Sequence, residues 1–137
     1  MILIVCVDNK NGMLFNRRRQ SQDRMLRVRI LKMTARSRLW MNAYSAKQFD
    51  ESAPQVTVAE DFLSQAASGE YCFLENTDPS PYLDRLEQVI LYRWNRDYPA
   101  DVRFTLDLSG FRLRQRVDFA GSSHEKITEE IYTPCET

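Results

Sequence analysis

Six consecutive apolar residues, Ile2 to Val7, open the chain and end at Asp8, Asn9 and Gly12. A run of this kind, rich in β-branched side chains and closed by turn formers, predicts a strand buried on both faces and central in its sheet. Further on, Leu26, Ile30 and Met33 recur at helical spacing behind Ser21, which suits an N-cap, and Asp23, which suits the first turn. The spacing predicts a helix over about 21–35, with Arg24, Arg27 and Lys32 on its polar face. "RLWMN" (38–42) reads as a second strand, and Thr57-Val58-Ala59-Glu60 has the capping-box pattern ahead of a helix over about 58–67 that turns Phe62, Leu63 and Ala66 inward. Gly69 stops it, and "EYCFL" (70–74) is the next apolar strand.

The second half changes character. "ENTDPSP" (75–81) is a turn-rich loop leading to a helical turn at Tyr82, Leu83 and Leu86, followed by a strand at 87–94. Three strands near 103–107, 111–119 and 125–132 are separated by turn signals at Ser109-Gly110 and at Ala120 to Ser123. Strands alternating with helices, then a run of strands, predict an α/β sandwich whose mostly parallel sheet ends in a C-terminal antiparallel meander.

At 137 residues the chain reads as one domain, 1–137, long enough to bury a core without disulfides or a structural metal. The net charge is zero but unevenly spread: residues 1–40 hold ten Lys/Arg against two Asp/Glu, and residues 41–137 hold nine against seventeen. A basic first third implies either an anionic partner, nucleic acid included, or an internal match to the acidic remainder. Cys6, Cys72 and Cys135 are far apart and make no Cys-x-x-Cys, so the first two read as small core residues in a reducing compartment. No apolar stretch has the length of a membrane span, and the apolar opening lacks the basic segment and cleavage site of a secretory signal, so the expected location is the cytoplasm.

The order of elements, with several local matches, resembles dihydrofolate reductase. "VCVDNKNGML" is similar to that family's first strand and the mobile loop over its substrate, and "LWMNAYSAKQF" to its second strand and the start of a cofactor-contacting helix. "VTVAEDFLSQA" is similar to its short strand and helix, and "LEQVILYRWNRDYPADVRFTLDLSGFRLRQRVDFAG" to a later strand, an acidic crossing and the strand beyond. The resemblance implies that Asp23 stands for the family's buried carboxylate, which binds an aminopyrimidine ring and assists its protonation. Tyr92 then falls where the family has a threonine supporting that carboxylate, and Arg17, Arg18 and Arg19 replace apolar and aromatic loop residues.

Two departures bear on the cofactor. The family binds the pyrophosphate of NADPH on a Gly-Gly turn, where only glycine lets the backbone approach a phosphate; here the turn is Glu75-Asn76, whose acid repels a diphosphate. The strand and loops that hold the adenosine end in the family are reduced to about a dozen residues around "KQFDESAPQ". The expected architecture is therefore a dihydrofolate-reductase-like sandwich with its cofactor half reduced, and NADPH is disfavoured. The opening is also similar to small proteins labelled ribonuclease Z, but such nucleases need a His-x-His-x-Asp-His cluster and this chain has one histidine, His124.

The functional reading is a non-reductase member of the fold that binds a small molecule or protein partner in the cleft near the 8–20 loop. Its candidate ligand-binding residues are Val5, Val7, Asp8, Gly12, Asp23 and Tyr92, with Asp23 the one catalytic candidate and Arg17, Arg18 and Arg19 available for anions. The alternatives are a reductase of pterin-like substrates that holds NADPH or a flavin differently, and a nucleic-acid-associated protein using the Arg17–Arg29 face. His124 sits in "GSSHEK" beside Ser122 and Ser123; no orienting acid is identifiable nearby, so it reads as a surface turn rather than a catalytic base. No residue pattern calls for a metal.

Overall fold

The computed structural model describes residues 1–50 and 52–135. The chain forms β1 (Ile2–Val7), β2 (Gly12–Phe15), β3 (Arg18–Arg19), α1 (Arg24–Met33), β4 (Leu39–Met41), α2 (Ala43–Ala46) and β5 (Val56–Val58). It continues through α3 (Phe62–Gln65), β6 (Tyr71–Leu74), a 3-10 helix (Ser80–Arg85), β7 (Gln88–Arg93), β8 (Val102–Arg103), β9 (Phe111–Phe119) and β10 (Ile127–Pro134).

Seven strands form one sheet in the order β5-β4-β6-β1-β7-β10-β9, and β1 is its middle. β1 pairs in parallel with β6 and β7 on its two sides, so its backbone is bonded along both edges. β10 alone runs against the rest, inserted between β7 and β9. Because side chains alternate across a strand, β1 feeds two cores. Leu3, Val5 and Val7 pack with Leu74, Leu91, Phe62 and Phe104 on one face. Ile2 and Ile4 pack with Phe73, Ile90, Leu26 and Ile30 under α1 on the other. Burial on both faces is why the opening run is continuous rather than alternating.

Several boundaries differ from those expected, each for a local reason. Asp23, not Ser21, caps α1: its carboxylate accepts the N–H groups of Met25 and Leu26. The capping-box pattern at Thr57 to Glu60 starts no helix, because Val56–Val58 pairs with β4 and the Glu60 carboxylate accepts Ala43 N–H instead. The helix that follows is one turn, Phe62–Gln65. The strand expected at 103–107 is only Val102–Arg103, and it joins β2 and β3 in a separate three-stranded sheet, so the C-terminal meander has two strands rather than three. The 8–20 loop is thus mostly a hairpin: Leu14 faces Arg19, Phe15 faces Arg18, and Asn16 and Arg17 turn with φ of 52° and 62°. Positive φ at both positions is what a two-residue hairpin turn requires.

Among the described residues no helix is long and apolar enough to cross a membrane. Replacing Ile30, which is buried between α1 and the sheet, by alanine is expected to lower the unfolding free energy by about 2–5 kcal/mol in urea denaturation. Val28→Ala, on the exposed side of the same helix, should change it by no more than about 0.5 kcal/mol.

Candidate functional site

The carboxyl ends of β1, β4 and β6 meet at one edge of the sheet, the place where open α/β sheets form ligand crevices. The crevice here is nearly full. A cavity of about 20 Å³, room for one water, remains among Cys6, Arg19, Ser21, Asp23, Leu26, Phe49, Glu75 and Trp94. The alternation of β1 puts Cys6 on the wall, while Val5 and Val7 point into the opposite core. Burial pushes the Cys6 thiol well above its ordinary value, with the Glu75 charge adding to the effect. It is therefore a wall group and not a thiolate nucleophile.

Arg19 and Glu75 occupy the middle of this edge. The guanidinium grips the carboxylate with two bonds, Nε to Oε2 at 2.9 Å and Nη2 to Oε1 at 3.2 Å. Glu75 is 9% exposed and also accepts from Ser45 Oγ at 2.8 Å and Gln48 Nε2 at 3.1 Å. Arg19 lies 4.5 Å over the Tyr44 ring, whose hydroxyl accepts the Arg19 N–H. Asn76 accepts from Asn42 Nδ2 at 2.7 Å. Where the resemblance implies a pyrophosphate, the chain presents a buried carboxylate already paired with its own cation, and neither Glu75 nor Asn76 has the positive φ of a glycine turn. These residues do not fit a dinucleotide phosphate.

Asp8 and Gly12 are tied to each other. Asp8, 1% exposed, accepts N–H bonds from Lys10, Gly12 and Tyr98 and one from Gln20 Nε2. Burial alone would raise its pKa, but these donors hold it below the ordinary value. A Cβ on Gly12 would sit 2.7 Å from that of Ala100, so glycine is required by close approach. Tyr92 is fully buried on the α1 side, away from Asp23. Its hydroxyl donates to Glu129 at 2.8 Å, and Glu129 takes two further bonds from Arg29. Burial, then the Glu129 charge, pushes the Tyr92 phenol far above its ordinary range.

Asp23 is 2% exposed and receives six donors. Oδ1 accepts the N–H groups of Met25, Leu26 and Ser122, and Oδ2 accepts Ser123 N–H, Ser123 Oγ and His124 Nδ1, the last at 2.9 Å. Both oxygens are filled by the chain, so no acceptor capacity remains for an aminopyrimidine ring. Burial would raise the Asp23 pKa; the bonds from Ser122, His124, Ser123 and Leu26 outweigh it and hold the carboxyl well below the usual carboxylate range. Gly121 makes the arrangement sterically available, because a Cβ there would run into the Asp23 carboxylate.

His124 is the residue most misjudged by local reading. It is 4% exposed, not a surface group, and stacks on Trp94 with ring centroids 4.5 Å apart. Its orienting acid is Asp23, 101 residues away, and its Nε2 lies 3.0 Å from Ser21 Oγ and 3.2 Å from the Tyr98 hydroxyl. The usable signal was the run of small residues Gly121-Ser122-Ser123, which lets a turn close tightly over another element. Among the described residues no group of three or more His, Cys, Asp or Glu is placed to hold a metal ion.

Outside the hairpin lies a second, open space of about 470 Å³, lined by Phe15, Asn16, Arg18, Arg19, Gln20, Tyr98 and Pro99. Its size falls in the range of small-molecule sites. Phe15 is 42% exposed, and Arg18 makes no ion pair among the described residues. Of the three consecutive arginines, Arg17 sits at the hairpin tip, Arg18 beside this groove and Arg19 in the buried pair.

Two stability tests follow. Arg19→Met should lower stability by about 3 kcal/mol by leaving Glu75 buried and unpaired, and adding Glu75→Leu should restore much of it; urea melts of the single and double variants read both. For Asp23, the native pKa lies below the ordinary 3.8, so its stabilisation is complete above that value and is lost as pH falls through the native one. Thermal melts should therefore weaken progressively below about pH 4, and Asp23→Asn should flatten that slope while costing about 2–4 kcal/mol at neutral pH.

No family model and no curated protein matches this sequence. In three dimensions it is similar to the dihydrofolate reductase of Enterococcus faecalis, solved with NADP(H) and RAB-propyl, with a TM-score of 0.71 over 98% of this chain and 96% of that one. The two share 10% sequence identity over that span, so the likeness is one of fold. The architecture of this chain is the dihydrofolate-reductase-like α/β sandwich, a mostly parallel central sheet that ends in antiparallel strands.

Proposed function

We propose that the chain is a non-reductase member of this fold that binds a small, flat, anionic molecule on the outer side of the 8–20 hairpin. The observation that carries the reading is the contrast between two spaces beside one segment. The inner crevice has its polar ends tied together by Arg19, Glu75 and Asp23, and keeps room for about one water. The outer groove is open, and Phe15, Tyr98 and Arg18 line it together. A planar ring stacks on such surface, and a carboxylate or phosphate pairs with the guanidinium.

The reductase reading has less support. Its cofactor needs phosphate donors at the end of β6, and that place holds the Glu75 carboxylate. The nucleic-acid reading also weakens, because Arg19, Arg29 and Arg38 of the basic third pair with Glu75, Glu129 and Glu70. These pairs support the internal match as the reason for the uneven charge.

Thermal-shift titrations with adenosine 5′-monophosphate, adenosine and NADPH test the proposal. The monophosphate is expected to raise the melting temperature, the uncharged nucleoside to do so less, and saturation at 100 times Kd to add about 2.7 kcal/mol. Phe15→Ala and Arg18→Ala should each abolish the shift without altering the unliganded melt. Stabilisation by NADPH that survives both substitutions would instead favour the reductase.

A further inference from the structure

A serine, a histidine and an aspartate from distant parts of the chain stand in line at the mouth of the inner crevice. His124 Nδ1 is 2.9 Å from Asp23 Oδ2, and His124 Nε2 is 3.0 Å from Ser21 Oγ. With Asp23 ionised, Nδ1 carries the proton, which leaves the lone pair of Nε2 facing the Ser21 hydroxyl. The imidazole cannot swing away, since Trp94 stacks on one face at 4.5 Å and its ring nitrogens are held by Asp23 on one side and by the Ser21 and Tyr98 hydroxyls on the other. A nucleophile, a base within hydrogen-bond reach and a third group orienting that base are the parts of an activated hydroxyl, whatever the fold or chain order.

We propose that Ser21, His124 and Asp23 form a nucleophilic centre that hydrolyses small activated esters with short acyl groups. Ser21 is half-buried and lines the 20 Å³ cavity, whose neighbouring walls are Leu26, Phe49 and Trp94. The cavity behind Ser21 holds about one water, so an acyl group that meets the half-buried hydroxyl from the solvent side finds no room there for a long chain. In the first step Ser21 Oγ bonds to the acyl carbon while its proton passes to His124 Nε2. The bond from that carbon to the alcohol oxygen then breaks, and the departing oxygen takes the proton from Nε2. In the second step water bonds to the acyl carbon, giving a proton to Nε2. The Ser21 ester bond breaks, Oγ recovers that proton, and the acid leaves. Neither step needs a metal, an oxidant or a cofactor, and the centre is independent of ligand binding in the outer groove.

The test uses the whole chain with methanesulfonyl fluoride and with p-nitrophenyl acetate and octanoate. Sulfonylation forms an Oγ–S bond and releases fluoride, and peptide mass mapping is expected to place the adduct on Ser21. Ser21→Ala, which removes one oxygen and leaves the Asp23–His124 contact in place, should abolish the adduct. It should also lower acetate hydrolysis at least about a hundredfold, with the octanoate hydrolysed far more slowly by the unaltered chain. An adduct absent from Ser21, or acetate hydrolysis unchanged in Ser21→Ala at an unchanged melting temperature, overturns the proposal.

Discussion

A carboxylate that is taken out of water must have its lone pairs filled, and in this molecule that requirement at Asp23 joins the two ends of the fold. Asp23 begins α1, and the donors that satisfy it come both from the first turn of that helix and from the turn between β9 and β10. α1 covers one face of the central sheet, and β10 and β9 complete its far side beyond β7. The carboxylate therefore sets where the helix starts and where the last two strands return. An N-cap alone typically contributes about 1 kcal/mol, but one whose second oxygen serves another element also fixes the position of that element. Gly121 and the small residues after it are consequences, since a bulkier turn could not reach the carboxylate.

A similar need explains the crevice. The first third of the chain is strongly basic and the remainder acidic. Folding brings Arg19 to Glu75, Arg29 to Glu129 and Arg38 to Glu70, so three of the ten basic residues of the first third pair with acids of the remainder. Of these pairs, Arg19–Glu75 has the greatest bearing on function, because it lies where a crevice at the carboxyl ends of the strands would otherwise be open. Once a guanidinium and a carboxylate are held there by Tyr44, Ser45 and Gln48, a ligand must break a buried pair to enter. That cost is several kcal/mol, which disfavours entry at this edge.

What the chain discloses before folding divides along the same line. The strands Ile2–Val7, Tyr71–Leu74 and Gln88–Arg93 were readable because burial on both faces leaves uninterrupted apolar runs. α1 is legible from Leu26 and Ile30 but its cap is not, because Ser21 and Asp23 both suit that position and only Asp23 reaches the N–H groups. β2 and β3 were hidden: each is short, and their hairpin turns on Asn16 and Arg17 without the glycine that signals such a turn. The insertion of β10 between β7 and β9 is a property of the sheet that no local pattern states.

The site was less legible than the fold for a related reason. Glu75 is visible as an acid at the end of an apolar strand, but its partner Arg19 stands in a row of three arginines with nothing to distinguish it. The acid that orients His124, Asp23, lies 101 residues away along the chain. The polar contacts at this edge depend on pairs that close across long loops, and periodicity carries information only about neighbours. Side chains that pack announce themselves through their spacing; side chains that pair across the sheet are identified only once the strand order is known. A fold shared at 10% identity thus keeps its frame, while the polar contacts at the carboxyl ends of its strands are set by pairs such as Arg19–Glu75 and Asp23–His124.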